Sequence, residues 1–230
     1  MIFLNQKMNL TKDELKTIIK EIEGLDVVLM PTMPLLSLAS ENFPNIGSQD
    51  VSEFEIGAYT GQTSIKTLKS LGVKYCLIGH SEKRYHLKET NEQMIKKIEL
   101  CIKHDIIPIY IVGETKEDYE NFKSKEIIET EITAVFNNLT CDLSKIIICY
   151  EPNWSVGANA ASNKFIEDMV LTIKSIIIDY YEVDPTIVYG GGVNEENIKD
   201  INNIDAIEGV LVGGTSLNSE RIKKLYELTK

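Results

Sequence analysis

Long apolar runs are missing from this 230-residue chain. The longest, Ile106 to Val112 and Ile146 to Tyr150, fall far short of the roughly 20 residues a membrane-spanning helix needs, and no basic stretch precedes an apolar one at the N-terminus. Neither a membrane partner nor export is expected. Cysteine is scarce as well. The four, Cys76, Cys101, Cys141 and Cys149, form no CxxC pair and no evident disulfide framework, and two lie in strand-like runs, so they read as buried free thiols of a reducing, cytoplasmic compartment. Basic residues number 24 against 35 acidic ones, a net charge of -11, and no segment gathers the Lys/Arg patch that a phosphate backbone requires, which argues against nucleic acid as a partner. A small anion stays compatible with this balance, because local amides and one well-placed lysine outweigh the average field at short range. No linker rich in Pro, Gly or Ser and no low-complexity segment divides the chain, which predicts one domain over residues 1–230.

Short β-branched runs are what the chain has in quantity. They recur at Ile2 to Leu4, Val27 to Met30, Asn45 to Gly47, Tyr75 to Gly79, Ile107 to Val112, Ile146 to Tyr150, Thr186 to Tyr189 and Ile207 to Val212, and predict eight strands, the third with the weakest signal. Helical patterns over Thr11 to Glu23, Asn91 to His104, Lys116 to Phe136, Asn163 to Tyr181 and Ser219 to Leu228 fall between them. Eight strand-helix units of about 29 residues match the size of a βαβ repeat, and continuously apolar strands imply burial on both faces. A closed (β/α)8 barrel of the α/β class fits best, and alternation alone does not exclude an open doubly wound sheet.

In a barrel of this kind chemistry belongs at the C-terminal strand ends, and these are polar here. Asn5 and Lys7 follow the first strand, Gly79-His80-Ser81-Glu82 the fourth, Gly113-Glu114 the fifth, Glu151-Pro152-Asn153-Trp154 the sixth, Gly190-Gly191-Gly192 the seventh and Gly213-Gly214 the eighth. Taken singly, Lys7 reads as a solvated charge, His80 as a hydrogen-bonded structural histidine, Glu151 as a capping or paired carboxylate and the glycines as turns. Glu151 is the sharpest anomaly, since it ends the run Ile-Ile-Ile-Cys-Tyr. The two glycine clusters together would let backbone amides approach a phosphate.

The order of these pieces, Asn5-Gln6-Lys7-Met8, Ile78-Gly79-His80-Ser81-Glu82, Tyr150-Glu151-Pro152-Asn153-Trp154, Tyr189-Gly190-Gly191-Gly192-Val193-Asn194 and Leu211-Val212-Gly213-Gly214, resembles the triosephosphate isomerase family from residue 2 to about residue 225. The resemblance implies interconversion of dihydroxyacetone phosphate and D-glyceraldehyde 3-phosphate, a step of glycolysis and gluconeogenesis, by proton transfer through an enediol without metal or cofactor. It implies Glu151 as the base, His80 as a neutral electrophile, Lys7 as a fixed positive charge and Asn5 as an orienting group. Glu82 matches a rim carboxylate by its place in the motif alone. Gly157, Gly192, Gly213 and Gly214 are implied to offer amides to the phosphate. The segment from Pro152 to about Ala161 looks like the family's lid, in which the tryptophan, here Trp154, exchanges a tyrosine, here Tyr150, for a glutamate, here Glu114, on closing. Gly57-Ala58-Tyr59-Thr60-Gly61 resembles the family's dimer loop, which implies a homodimer.

Several positions depart from the family pattern. Gln6 stands where an aromatic is common, Ile111 where a cysteine is usual near the base, Gln62 for a glutamate, Lys83 for an arginine and Gly192 for a serine. The changes at Gln62 and Lys83 weaken the charge pairing expected between subunits. Gly192 removes a hydroxyl that would bond the closed lid near Asn159, and Gly192→Ser would restore it if the backbone there tolerates a side chain. Two other readings stay open: an isomerase of a four-carbon sugar phosphate, and a non-catalytic phosphate-binding protein on the same barrel.

Overall fold

The computed structural model describes residues 1–157 and 160–230. Eight parallel strands, β1 (Ile2–Asn5), β2 (Val28–Met30), β3 (Gly47–Ser48), β4 (Tyr75–Ile78), β5 (Ile107–Val112), β6 (Ile147–Tyr150), β7 (Thr186–Tyr189) and β8 (Gly209–Val212), lie in the order β2-β1-β8-β7-β6-β5-β4-β3. A parallel bridge between Leu29 and Ile46 joins the two ends of that series. The neighbour order is thus the chain order taken round a ring, with no reversal point, and the fold is a single (β/α)8 barrel rather than an open doubly wound sheet.

The described helices are α1 (Lys12–Glu21), α2 (Leu36–Asn42), α3 (Ile65–Ser70), α4 (Ser81–Leu87), α5 (Asn91–Lys103), α6 (Lys116–Glu120), α7 (Ser124–Phe136), α8 (Asn163–Tyr181), α9 (Ile198–Asn202) and α10 (Ser219–Leu228). Among the described residues no helix is long and apolar enough to cross a membrane. The predicted helix over Lys116 to Phe136 is two helices. Phe122 sits between them at φ +58°, 97% exposed, and the Lys123 N–H returns to the Asp118 carbonyl at 2.9 Å, which closes α6 before α7 begins. The break lets α6 lay Tyr119 against Trp154 with ring centroids 4.4 Å apart.

Side chains alternate by strand phase. Phe3, Leu77, Ile109, Ile111, Ile147, Cys149, Val188 and Leu211 fill the barrel interior, while their neighbours Leu4, Ile78, Tyr110, Ile148, Tyr189 and Val212 join the larger layer under the helices. Followed to the C-terminal strand ends, the inward phase passes from Phe3 to Asn5, the last residue of β1, and from Ile147 and Cys149 to Glu151, the first residue after β6. These two polar side chains are therefore carried to the barrel mouth by the same alternation that fills its core. His80 falls out of phase with Leu77. Gly79, at φ +77°, supplies the turn that places it, a backbone region costly for other residues.

Candidate active site

One cavity of about 370 Å³ at the C-terminal ends of the strands is lined by Asn5, Lys7, His80, Glu151, Gly157, Gly192, Gly213 and Gly214 together. All eight predicted site residues thus meet in one place, although the β1 and β8 pieces lie more than two hundred residues apart in sequence. Glu82 is not among the lining residues; it reaches the site through Lys7, whose Nζ lies 2.7 Å from its carboxylate.

Glu151 is 3% exposed and His80 5%. His80 caps α4, and its Nδ1 accepts the Glu82 N–H at 3.2 Å. That bond needs a lone pair on Nδ1, so the ring proton belongs on Nε2, which lies 3.2 Å from Glu151 Oε1. The two atoms are close without the alignment of a completed hydrogen bond, and both are buried with no other partner among the described residues. A buried donor and a buried acceptor left open beside a cavity are costly unless a ligand with a complementary acceptor and proton meets them. Burial raises the Glu151 pKa above the ordinary carboxylate value, while His80 and Lys7 pull it down and Glu82 adds to the rise.

Lys7 stands at φ +52°, an uncommon conformation for a lysine, and it is held from several sides. Its N–H donates to Asn5 Oδ1 at 3.2 Å, and its carbonyl accepts from Gln49 Nε2 at 2.9 Å, with the same nitrogen donating to Met30 O at 2.8 Å. Sequence patterns miss Gln49 because it follows the shortest strand and carries no motif. For Glu82, burial works to raise the carboxyl and the Lys7 hydrogen bond to lower it, with the net result below the ordinary value.

The glycine loops have the expected place. Gly192 takes φ +63°, so a serine there would be strained, which overturns the simple expectation that Gly192→Ser restores a lid hydroxyl. Asn159, the other half of that expectation, lies outside the described residues. Asn197 Nδ2 donates to the Gly192 carbonyl at 3.0 Å and fixes the loop from behind. A different hydroxyl pair sits nearby: a β-carbon at Gly191 would collide with Ser155 Oγ and Tyr189 OH, so the segment after Glu151 and the end of β7 meet over that glycine. Tyr189 OH is buried without a well-aligned partner, yet Ser155 and the Ala161 amide lie near enough to offset part of the rise that burial gives its pKa.

At the lid's first hinge, Trp154 Nε1 donates to Glu114 Oε1 at 2.8 Å and Tyr150 OH to Glu114 Oε2 at 3.1 Å. The indole is therefore on the glutamate, the partner the resemblance assigns to the closed lid. Burial raises the Glu114 pKa, with the Trp154 bond acting against it. Asn153 adds a tie of its own, donating from Nδ2 to Gly113 O at 2.6 Å. Cys149 stands two residues before the base on β6 and faces the same interior as Ile111, so the sulfur missing from β5 is replaced by one on the neighbouring strand.

The family model for triosephosphate isomerase matches residues 1–229. A triosephosphate isomerase of Mesomycoplasma hyopneumoniae strain 7448 is 35% identical over 240 residues, covering 98% of this chain and 97% of the relative. One from Finegoldia magna is 37% identical over 243 residues, with 98% and 97% covered, and one from Mycoplasma mobile is 37% identical over 246 residues, with 100% and 98% covered. Fold, cavity and full-length similarity agree, and the chain belongs to the triosephosphate isomerase family.

Proposed function

We propose that Glu151, His80, Lys7 and Asn5 carry out the family's reaction in this chain, the interconversion of dihydroxyacetone phosphate and D-glyceraldehyde 3-phosphate. Glu151 takes a proton from the carbon beside the carbonyl and returns it to the adjacent carbon. His80 Nε2–H donates to the oxygen on which negative charge develops, and Lys7 supplies positive charge to the same enediolate. Amides of Gly157, Gly192, Gly213 and Gly214 hold the phosphate. The observation that carries this reading is the open pair of buried atoms, His80 Nε2 and Glu151 Oε1, 3.2 Å apart on the cavity wall. Binding phosphate alone has no use for a buried carboxylate with a raised pKa. A coupled assay run in both directions on the triose phosphates, with a four-carbon sugar phosphate as competitor, tests it. Turnover of both triose phosphates is expected, and faster turnover of the four-carbon compound would move the substrate assignment.

The same reading includes a homodimer in the cytoplasm, where the free cysteines stay reduced. Its support is apolar surface. Ile56 and Tyr59 on the loop before Thr60 are 71% and 43% exposed, and Met8 and Leu87, beside the Lys7 and His80 loops, are 90% and 66% exposed. A second copy would cover both groups at once. Lys83 pairs within its own chain, with Asp50 at 2.6 Å, so apolar contact rather than that charge carries the interface. Specific activity is expected to fall on dilution as the Lys7 and His80 loops lose this support. Sedimentation showing a fully active monomer at every concentration would remove the dimer from the mechanism.

A further inference from the structure

Arg221 also lines the cavity, and the motifs do not account for it. It lies in the first turn of α10, the helix that follows Gly213 and Gly214, and its side chain is 47% exposed. Glu195, on the loop after Gly192, receives it in a forked pair: Nε donates to Oε1 at 2.6 Å and Nη2 to Oε2 at 2.7 Å. Glu195 is not among the cavity-lining residues. The pair is thus a dipole with its positive end towards the cavity, and among the described residues Nη1 has no hydrogen-bond partner. The titratable groups lining the cavity are Lys7, His80, Glu151 and Arg221, so Arg221 is its second fixed cation. Lys7 is already bonded to Glu82. The chain as a whole, at a net charge of -11, repels a phosphate dianion.

The geometry points to Arg221 as a further phosphate-recognition residue, a guanidinium aimed by Glu195 at the dianion that the glycine amides hold. Arg221 draws the substrate in against the chain's unfavourable net charge and adds nothing to the proton transfer itself, since it lies on the phosphate side of the cavity with Gly192, Gly213 and Gly214. This rests on the isomerase reading above and assigns a specificity role within it. Its alternative is a brace that ties the loop after β7 to α10.

The two roles separate by sign. If Arg221 acts by charge, Arg221→Gln raises KM for D-glyceraldehyde 3-phosphate and Ki for inorganic phosphate together, by about three- to fivefold at low salt, with kcat unchanged. Glu195→Gln, which removes the compensating negative charge, shifts both constants the other way. Added salt shrinks both effects, and any turnover measured on unphosphorylated D-glyceraldehyde, which offers no dianion to Arg221, is the same in both variants as in wild type. A brace predicts that both variants weaken phosphate binding in the same direction. That outcome, or an unchanged Ki for phosphate in Arg221→Gln, overturns the proposal while leaving the isomerase assignment intact. Loss of wild-type isomerisation would instead strike the assignment itself. Urea unfolding of each variant confirms that the comparison is made between folded proteins.

Discussion

Glu151→Ala is expected to lower turnover by roughly two to four orders of magnitude, about 3 to 5 kcal/mol in the barrier, while Ki for inorganic phosphate stays near the wild-type value. The separation follows from the wall of the cavity: the carboxylate faces His80 Nε2, whereas Gly192, Gly213 and Gly214, whose amides are proposed to take the phosphate, line it on the β7 and β8 side. A variant that lost turnover and phosphate affinity equally would show Glu151 to be a structural or binding group.

The same side chain predicts a trade between activity and stability. Burial raises the folded-state pKa of Glu151 above the ordinary 4.5, so the ionised form costs more in the folded protein than in the unfolded chain. Stability from this group is complete below the ordinary value and is lost as pH rises through the folded one. At neutral pH the charge is therefore a net burden. Glu151→Gln, which never ionises, should melt higher than wild type at pH 7, with the difference vanishing under acidic conditions. For the proposed role as base Glu151 must be ionised, so the acid limb of kcat/KM is expected above the ordinary carboxylate range. A pH profile with its limb near 4.5 would contradict the role given to burial.

Legibility in the sequence follows physical reach. The interior positions of β5 and β6 are apolar and in strict alternation, and that phase by itself carries Glu151 to the mouth of the barrel. Gly47 and Gln49 carry the same phase through β3, but neither is β-branched, so the shortest strand has the faintest pattern. Phe122 shows why the pattern runs α6 and α7 together: an aromatic in the left-handed region has no local signature, and the turn is imposed by how the two helices pack. Arg221 lacks a signal for a similar reason. Nothing within its own helix distinguishes it from Lys223 or Lys224; the fold of α10 over the β8 loop brings it to the cavity, and Glu195, twenty-six positions away, aims it. Gly192 is legible as a residue and not as a conformation, because its φ depends on Asn197 holding its carbonyl.

Lys97→Met is expected to destabilise the protein by about 3 to 5 kcal/mol, for the charge it removes is the hub of a buried network. Lys97, 6% exposed on α5, bonds Asp50 at 2.6 Å and contacts Glu89, whose side chain is 3% exposed; Lys83 on α4 adds a second bond to Asp50 at 2.6 Å. Burial works against the Lys97 charge, and the two carboxylates outweigh it, so its pKa lies above the ordinary lysine value. With both carboxylates ionised, stability from this lysine is complete below the ordinary lysine range and is lost as pH rises through the raised value. Methionine fits the length of the site but leaves the Glu89 carboxyl buried without its cation, with Oε2 already lacking a partner among the described residues. Most of the cost is that orphaned buried carboxyl rather than the lost attraction, which makes a second variant decisive. Adding Glu89→Gln to Lys97→Met should recover a large part of the loss in urea unfolding, with the denaturant slope unchanged. A double variant less stable than the single one would mean that Glu89 is satisfied by another group, and a single variant as stable as wild type would mean that the network contributes nothing net. Asp50 adjoins Gln49, which holds the Lys7 carbonyl, so loosening this network is also expected to raise KM before the protein unfolds.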